Sequence, residues 1–232
     1  VPLTRRGVSP AALAWSYRLL GIAVAAMALQ EAEAGHLGVN AGALYGRRSG
    51  FLPLLPVAAM AALWLIQIAA GAAVALGWRR NAALRVAAAA VALGLTQSYF
   101  NQKMFLLLLL TSLALESMQA ARAQLLLLYL ASAAFKLRDG FGSGASLTAL
   151  LEQVRDRGLA PWIVLPLAAA PALSKLALAG EALLPLALWK RPRAGVAAAV
   201  AMHLSFALFL PGLWPFTLTA CAAALLFLPP LR

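Results

Sequence analysis

Apolar stretches follow one another along almost the whole chain, as in "LLLLYLASAAF" at residues 125–135, some long enough to cross a membrane and others, like this one, short for a full crossing. In hydrocarbon a backbone must satisfy its own hydrogen bonds, which leaves only helices and closed barrels. The runs are rich in Ala and Leu, both strong helix formers, and lack the alternation of a barrel strand. Of the 232 residues 63% are hydrophobic and 11% charged, too little charge to clothe a soluble domain. The expected fold is an all-α integral membrane protein, a polytopic bundle of about eight transmembrane helices, each needing about 20 apolar residues. The spans read as Ala11–Leu29, Leu54–Trp78, Ala82–Tyr99, Met104–Leu115, Ala123–Phe135, Trp162–Trp189, Ala194–Leu210 and Leu213–Leu228.

Basic residues in the connections orient such a bundle, since Lys and Arg concentrate on the cytoplasmic side. With the N-terminus inside, ten fall on the inner face: Arg5, Arg6, Arg79, Arg80, Arg85, Arg122, Lys190, Arg191, Arg193 and Arg232. Seven fall outside: Arg47, Arg48, Lys103, Lys136, Arg138, Arg155 and Arg157. The sequence therefore favours N-in, C-in. The net charge of +12 belongs to these loops and does not point to nucleic acid. The two longest connections, about 30–53 and 136–161, lie outside. Within the second, Leu147, Leu150, Leu151 and Val154 share one helical face, which predicts an interfacial helix over about 146–157. Arg18 interrupts the first apolar run, so that run reads as a retained helix and not a cleaved leader. No linker, repeat or soluble domain stands out, and residues 1–232 read as one transmembrane domain. The single Cys221 leaves no internal disulfide, and two histidines give no metal-site spacing, so neither metal nor haem is expected.

An ionisable side chain inside a span costs about 2.5–3.5 kcal/mol at mid-bilayer, so it calls for a partner or a function. Arg18, Lys175, Glu181 and His203 qualify, with Lys136 at a helix end. Counting back from the "KRPR" turn puts Glu181 and His203 at a similar depth on neighbouring antiparallel helices, about 13–15 Å from the inner boundary. A Glu181–His203 contact is allowed, either as a helix–helix tie or as part of a site. Lys175 lies six residues before Glu181 and so about 120° around the helix from it. Snorkelling explains Arg18, Lys175 and Lys136 equally well. Alternatively, Lys136, partly desolvated beside a second cation such as Lys175, is a base. His36 reads as a solvated loop residue.

The stretch "YLASAAFKLRDGFGSG" resembles the "Y-x-x-A-G-x-x-K-L-x-x-x-W-x-x-G" segment of the vitamin K-dependent γ-carboxylase membrane domain and of the related HTTM (horizontally transferred transmembrane) family. Tyr129, Lys136, Leu137 and Gly144 match, and Phe141 stands where tryptophan is usual. "LAWSYRLLGI" resembles the family's first helix with its arginine, here Arg18. "YFNQKMFLLLLL" is similar to "Y-x-N-H-x-x-L-L", with Tyr99 and Asn101 matching and Gln102 in place of the histidine. "LSKLALAGEALLPLAL" and the run from "AMHLSF" resemble the acidic sixth and histidine-bearing seventh helices.

The resemblance implies a base at Lys136 acting on a reduced, vitamin K-type quinone from the outer side. Glu181 and His203 complete the catalytic group, and Asn101, Tyr99, Gln102, Tyr129, Arg18 and Lys175 line the ligand pocket. It further implies a multi-pass protein of a bacterial-type cytoplasmic membrane. The sequence ends at Arg232 without the large lumenal portion that recognises protein substrates in the carboxylase, so a partner protein is expected to supply that role. A second hypothesis is a non-catalytic accessory, anchor or maturation subunit for an exported or electron-transfer partner, as small HTTM and DoxX-like proteins are. A transporter ranks last, because paired interrupted helices and inverted repeats are lacking.

Overall fold

A computed structural model describes residues 7–37, 55–97, 101–156, 167–209 and 211–230. Among these residues the chain is all helical, with α1 Pro10–Leu37, α2 Val57–Leu76, α3 Arg80–Gln97, α4 Asn101–Ala114, α5 Met118–Arg138, α6 Ala145–Asp156, α7 Ala170–Lys190, α8 Pro192–Phe209 and α9 Trp214–Leu225. Four are long and apolar enough to cross a membrane: Pro10–Glu33 of α1, Ala58–Leu76 of α2, α5 and α7. Large apolar side chains such as Leu65, Leu76, Leu127, Leu176 and Leu183 cover much of the exterior. A surface of that kind suits a lipid bilayer, not water.

The element boundaries differ from the sequence reading in two informative places. α1 runs on to Leu37, which brings Glu31, Glu33 and His36 into the helix instead of a loop. α5 begins at Met118, capped where the Ser117 hydroxyl accepts from the Ala120 N–H, so Arg122 lies inside the helix and is buried. Its guanidinium donates to the Leu226 carbonyl at 2.8 Å and the Gly7 carbonyl at 3.5 Å. A residue counted as a loop charge is therefore a clamp joining α5 to the residues just before α1 and just after α9. A helix lies where the pattern puts one, as α6, with Leu151 buried and Arg155 and Asp156 exposed. The start expected at Trp162 and most of the first outer connection fall outside the described residues.

α9 is the central helix. It packs against α1, α4, α5 and α8, and its run Thr219–Ala224 is buried throughout. The small side chains there let its neighbours approach closely. α1 lies antiparallel to it, tied by the Ser16 hydroxyl to the Ala222 carbonyl at 2.8 Å and by the Gln30 amide to the Gly212 carbonyl at 3.0 Å. α1 crosses α2 at Gly21 and Gly71, so tightly that a Cβ on Gly21 would lie 2.3 Å from the Gly71 oxygen. α7 and α8 are joined by a turn so tight that a Cβ on Gly195 would lie 2.5 Å from the Leu188 nitrogen. The N-terminal segment, the α7–α8 turn and the end of α9 share one end of the bundle. α6 and the start of α7 sit at the other.

Candidate functional site

The end of α5 carries two polar groups on one face. Tyr129 and Lys136 are seven residues apart, two helical turns or about 10 Å along the axis. α7 faces them with Glu181, and α8 faces them with His203 and, one turn on, Phe206. α5 and α8 both pack on α7. Between the three lies a cavity of about 1340 Å³, closed at the far end of the bundle by α6 and the turn Phe141–Ser143. Most of its wall is Leu, Phe and Ala, and exposed Leu176, Leu183 and Phe135 stand on its rim. An apolar rim of that kind suits a lipophilic environment. The volume exceeds that of an ordinary drug-sized pocket.

The polar groups fall into two pairs. Lys136 forms an ion pair with Glu181, which is 5% exposed. The ammonium also lies 5.1 Å from the Phe141 ring centre and 5.7 Å from that of Phe206, within cation–π range of both. Deeper in, the Tyr129 hydroxyl and His203 Nε2 share a hydrogen bond of 2.8 Å. The His203 ring stands edge-on to Phe216 with ring centres 5.4 Å apart, and the His203 carbonyl accepts from the Thr217 hydroxyl at 3.1 Å. Each pair leaves one buried atom without a partner, Glu181 Oε2 and His203 Nδ1. A buried, unpaired polar atom is costly unless a ligand or water meets it, and both of these atoms belong to residues that line the cavity.

Local sequence explains the placement. Pro185 has no N–H for the Glu181 carbonyl four residues earlier, so the α7 backbone is weakened at the residue that carries the carboxylate. Gly144 has φ +86°, and a Cβ there would meet the Pro171 nitrogen at 2.6 Å. Glycine at this position thus lets the turn bearing Phe141 fold against the start of α7 and under Lys136.

Of the expected site residues, Lys136, Glu181, His203, Tyr129 and Gln102 all line this cavity. Their pairing differs from the allowed Glu181–His203 contact, since each of those residues bonds to α5 instead. Lys175 is exposed beside Gly142 and lies outside the lining, so the group facing Lys136 is a carboxylate and not a second cation. Arg18 is also exposed and away from the cavity, its guanidinium 4.9 Å above the Trp15 ring. Tyr99 and the Asn101 side chain fall outside the described residues.

Two contributors escaped the sequence reading. Phe206 sits three residues after His203, on the same helical face, and that spacing was the available signal. Lys103, counted as a loop charge, is fully buried, pairs with Glu31 at 2.5 Å and donates to the Gly94 carbonyl at 3.2 Å. Its neighbour Gln102 is the one residue of the first four helices that lines the cavity, among the described residues. No group of three or more His, Cys, Asp or Glu able to hold a metal occurs among the described residues.

No protein-family model matches the chain, and no curated protein or solved structure matches it.

Proposed function

We propose that this chain is a multi-pass protein of a bacterial-type cytoplasmic membrane, N-in and C-in, with every helix but α6 crossing the bilayer. Its cavity binds a reduced, vitamin K-type quinone or a similar lipophilic hydroxyl compound. The observation that carries the reading is the Lys136–Glu181 ion pair at the wall of an apolar cavity, with Glu181 Oε2 buried and unpartnered. A ligand hydroxyl donates to that oxygen, and the Lys136 ammonium stabilises the oxyanion as the proton leaves. The base is then the pair and not the lysine alone, because the carboxylate faces the amine directly. Tyr129 and His203 receive the far side of the ring. Such a site favours ionisation by placing a fixed positive charge where negative charge develops, inside a low-dielectric wall.

The resemblance to the γ-carboxylase and HTTM proteins supports the quinol identity through Tyr129, Lys136, Leu137 and Gly144. A partner protein that brings the second substrate belongs to the same proposal. The test is purification from native membranes with mass spectrometry of bound quinones and co-purifying proteins. Bound quinone is expected in the parent protein, with a loss of about tenfold in Lys136→Gln, in line with removal of a charge-assisted contact. Equal quinone content in parent, Lys136→Gln and Glu181→Gln would refute the reading.

A further inference from the structure

A second concave surface lies at the opposite end of the molecule, and the site described above makes no use of it. α1 and α8 flank α9 and leave a groove of about 590 Å³ between them. Its walls are apolar: Trp15 and Leu19 from α1, Val200 and Leu204 from α8, Leu218 and Leu225 from α9. Arg193, at the start of α8, stands at one end. From Arg193 to Leu204 the helix advances about 16 Å, half of a hydrocarbon core about 30 Å thick. The groove therefore has the length of one leaflet, with a cation where the headgroup of that leaflet lies.

The charge around it is one-sided. Lys190, Arg191 and Arg193 crowd the adjoining turn, and Arg18, the intramembrane cation that the cavity leaves unused, stacks on Trp15 at the groove wall. Neither Arg18 nor Arg193 has a carboxylate partner among the described residues. An uncompensated arginine beside an apolar groove is complementary to a phosphate carrying an acyl chain.

We infer that the groove between α1 and α8 holds one anionic phospholipid, its acyl chain along α9 and its phosphate at Arg193. This rests on a bilayer surrounding the helices and not on the quinol reading. The trapped chain fills the gap between α1 and α8 and so ties the N-terminal helices to the half of the bundle that bears the cavity.

The full chain, purified in detergent, is titrated with phosphatidylglycerol or phosphatidylcholine and read by native mass spectrometry, with thermal unfolding to confirm that each variant is folded. One phosphatidylglycerol is expected to bind about fivefold more tightly than phosphatidylcholine, a preference lost in Arg193→Gln. Ala11→Trp, which fills the groove from an exposed position, is expected to weaken both lipids. Lys190→Gln lies in the same turn but outside the lining and is expected to keep the preference. Equal binding of the two lipids overturns the inference. So does an equal loss in Lys190→Gln and Arg193→Gln, which would mean diffuse surface charge. Displacement of the lipid by millimolar inorganic phosphate would also overturn it, since the site would then read a free anion.

Discussion

At the residue scale, what the sequence made visible was cost. Glu181 and His203 stood out because a membrane excludes such groups, and both prove buried at one cavity. Their partners were not legible, because depth along a helix is readable from spacing while the rotation of one helix against another is not. Lys136 could be matched with Lys175 or His203 with Glu181 on depth alone; the rotation of α5 decides for Lys136–Glu181 and Tyr129–His203. The second pair gives a direct expectation. Tyr129→Phe keeps the ring packing but removes the hydroxyl and leaves His203 Nε2 buried and unpaired. A loss of about 1–3 kcal/mol should follow, seen as a lower thermal midpoint. His203→Phe in the Tyr129→Phe background removes the orphan and should recover part of that loss. If Tyr129→Phe alone is neutral, the hydrogen bond contributes nothing.

At the scale of elements, α4 shows why a reading from local pattern falls short. Lys103 immediately precedes an apolar run and looks like an interfacial charge, yet the helix starts two residues earlier and turns it inward to Glu31 of α1. Glu31 in turn looked like loop because the apolar run ends at Leu29, whereas α1 continues to Leu37. A long-range ion pair hides in two such boundary errors at once. The pair fixes the first turn of α4, and with it the direction of Gln102 toward the cavity. Lys103→Met leaves the Glu31 carboxylate buried without its counter-charge and is expected to cost about 3–5 kcal/mol, while Lys103→Met with Glu31→Gln should cost much less. A thermal-unfolding cycle measures the coupling, and additivity would mean that the two groups do not interact. The α1–α2 crossing is a second element-level constraint. Gly21→Ala forces a Cβ into the Gly71 carbonyl and should destabilise by about 1–3 kcal/mol. Gly7→Ala, where nothing lies within 4 Å, is the neutral control.

At the scale of the whole molecule, the proposed orientation rests on the distribution of basic residues. Counting connections gave a modest bias, and Arg122 and Lys103 were counted on opposite sides although both are buried. Assigned by the ends of the described helices, Arg18, Arg79, Arg80, Arg85, Arg122, Lys190, Arg191 and Arg193 lie toward the end where Ser9 meets Leu228, with Glu116 as the one acid there among the described residues. Toward the opposite end, Lys103, Lys136, Lys175, Arg138 and Arg155 meet five acids, Glu31, Glu33, Asp139, Glu152 and Asp156, while Glu181 lies at the middle of α7. Lys and Arg alone, which are what the orientation rule counts, are more numerous toward the first end among the described residues, the same direction of bias as in the connections. Under the proposed N-in orientation the cavity with Lys136 opens toward the outer leaflet, and the Arg193 groove faces the inner one, where anionic lipid is found. Single cysteines test this in a Cys221→Ala background, since Cys221 is the chain's one native thiol. Arg191→Cys, exposed in the cationic turn, should resist a membrane-impermeant maleimide in intact cells and react only after permeabilisation. Ser143→Cys, exposed in the turn beside Phe141, should react in intact cells. The reverse pattern would invert the bundle, move the proposed quinol site to the cytoplasmic side and separate the Arg193 groove from the anionic leaflet.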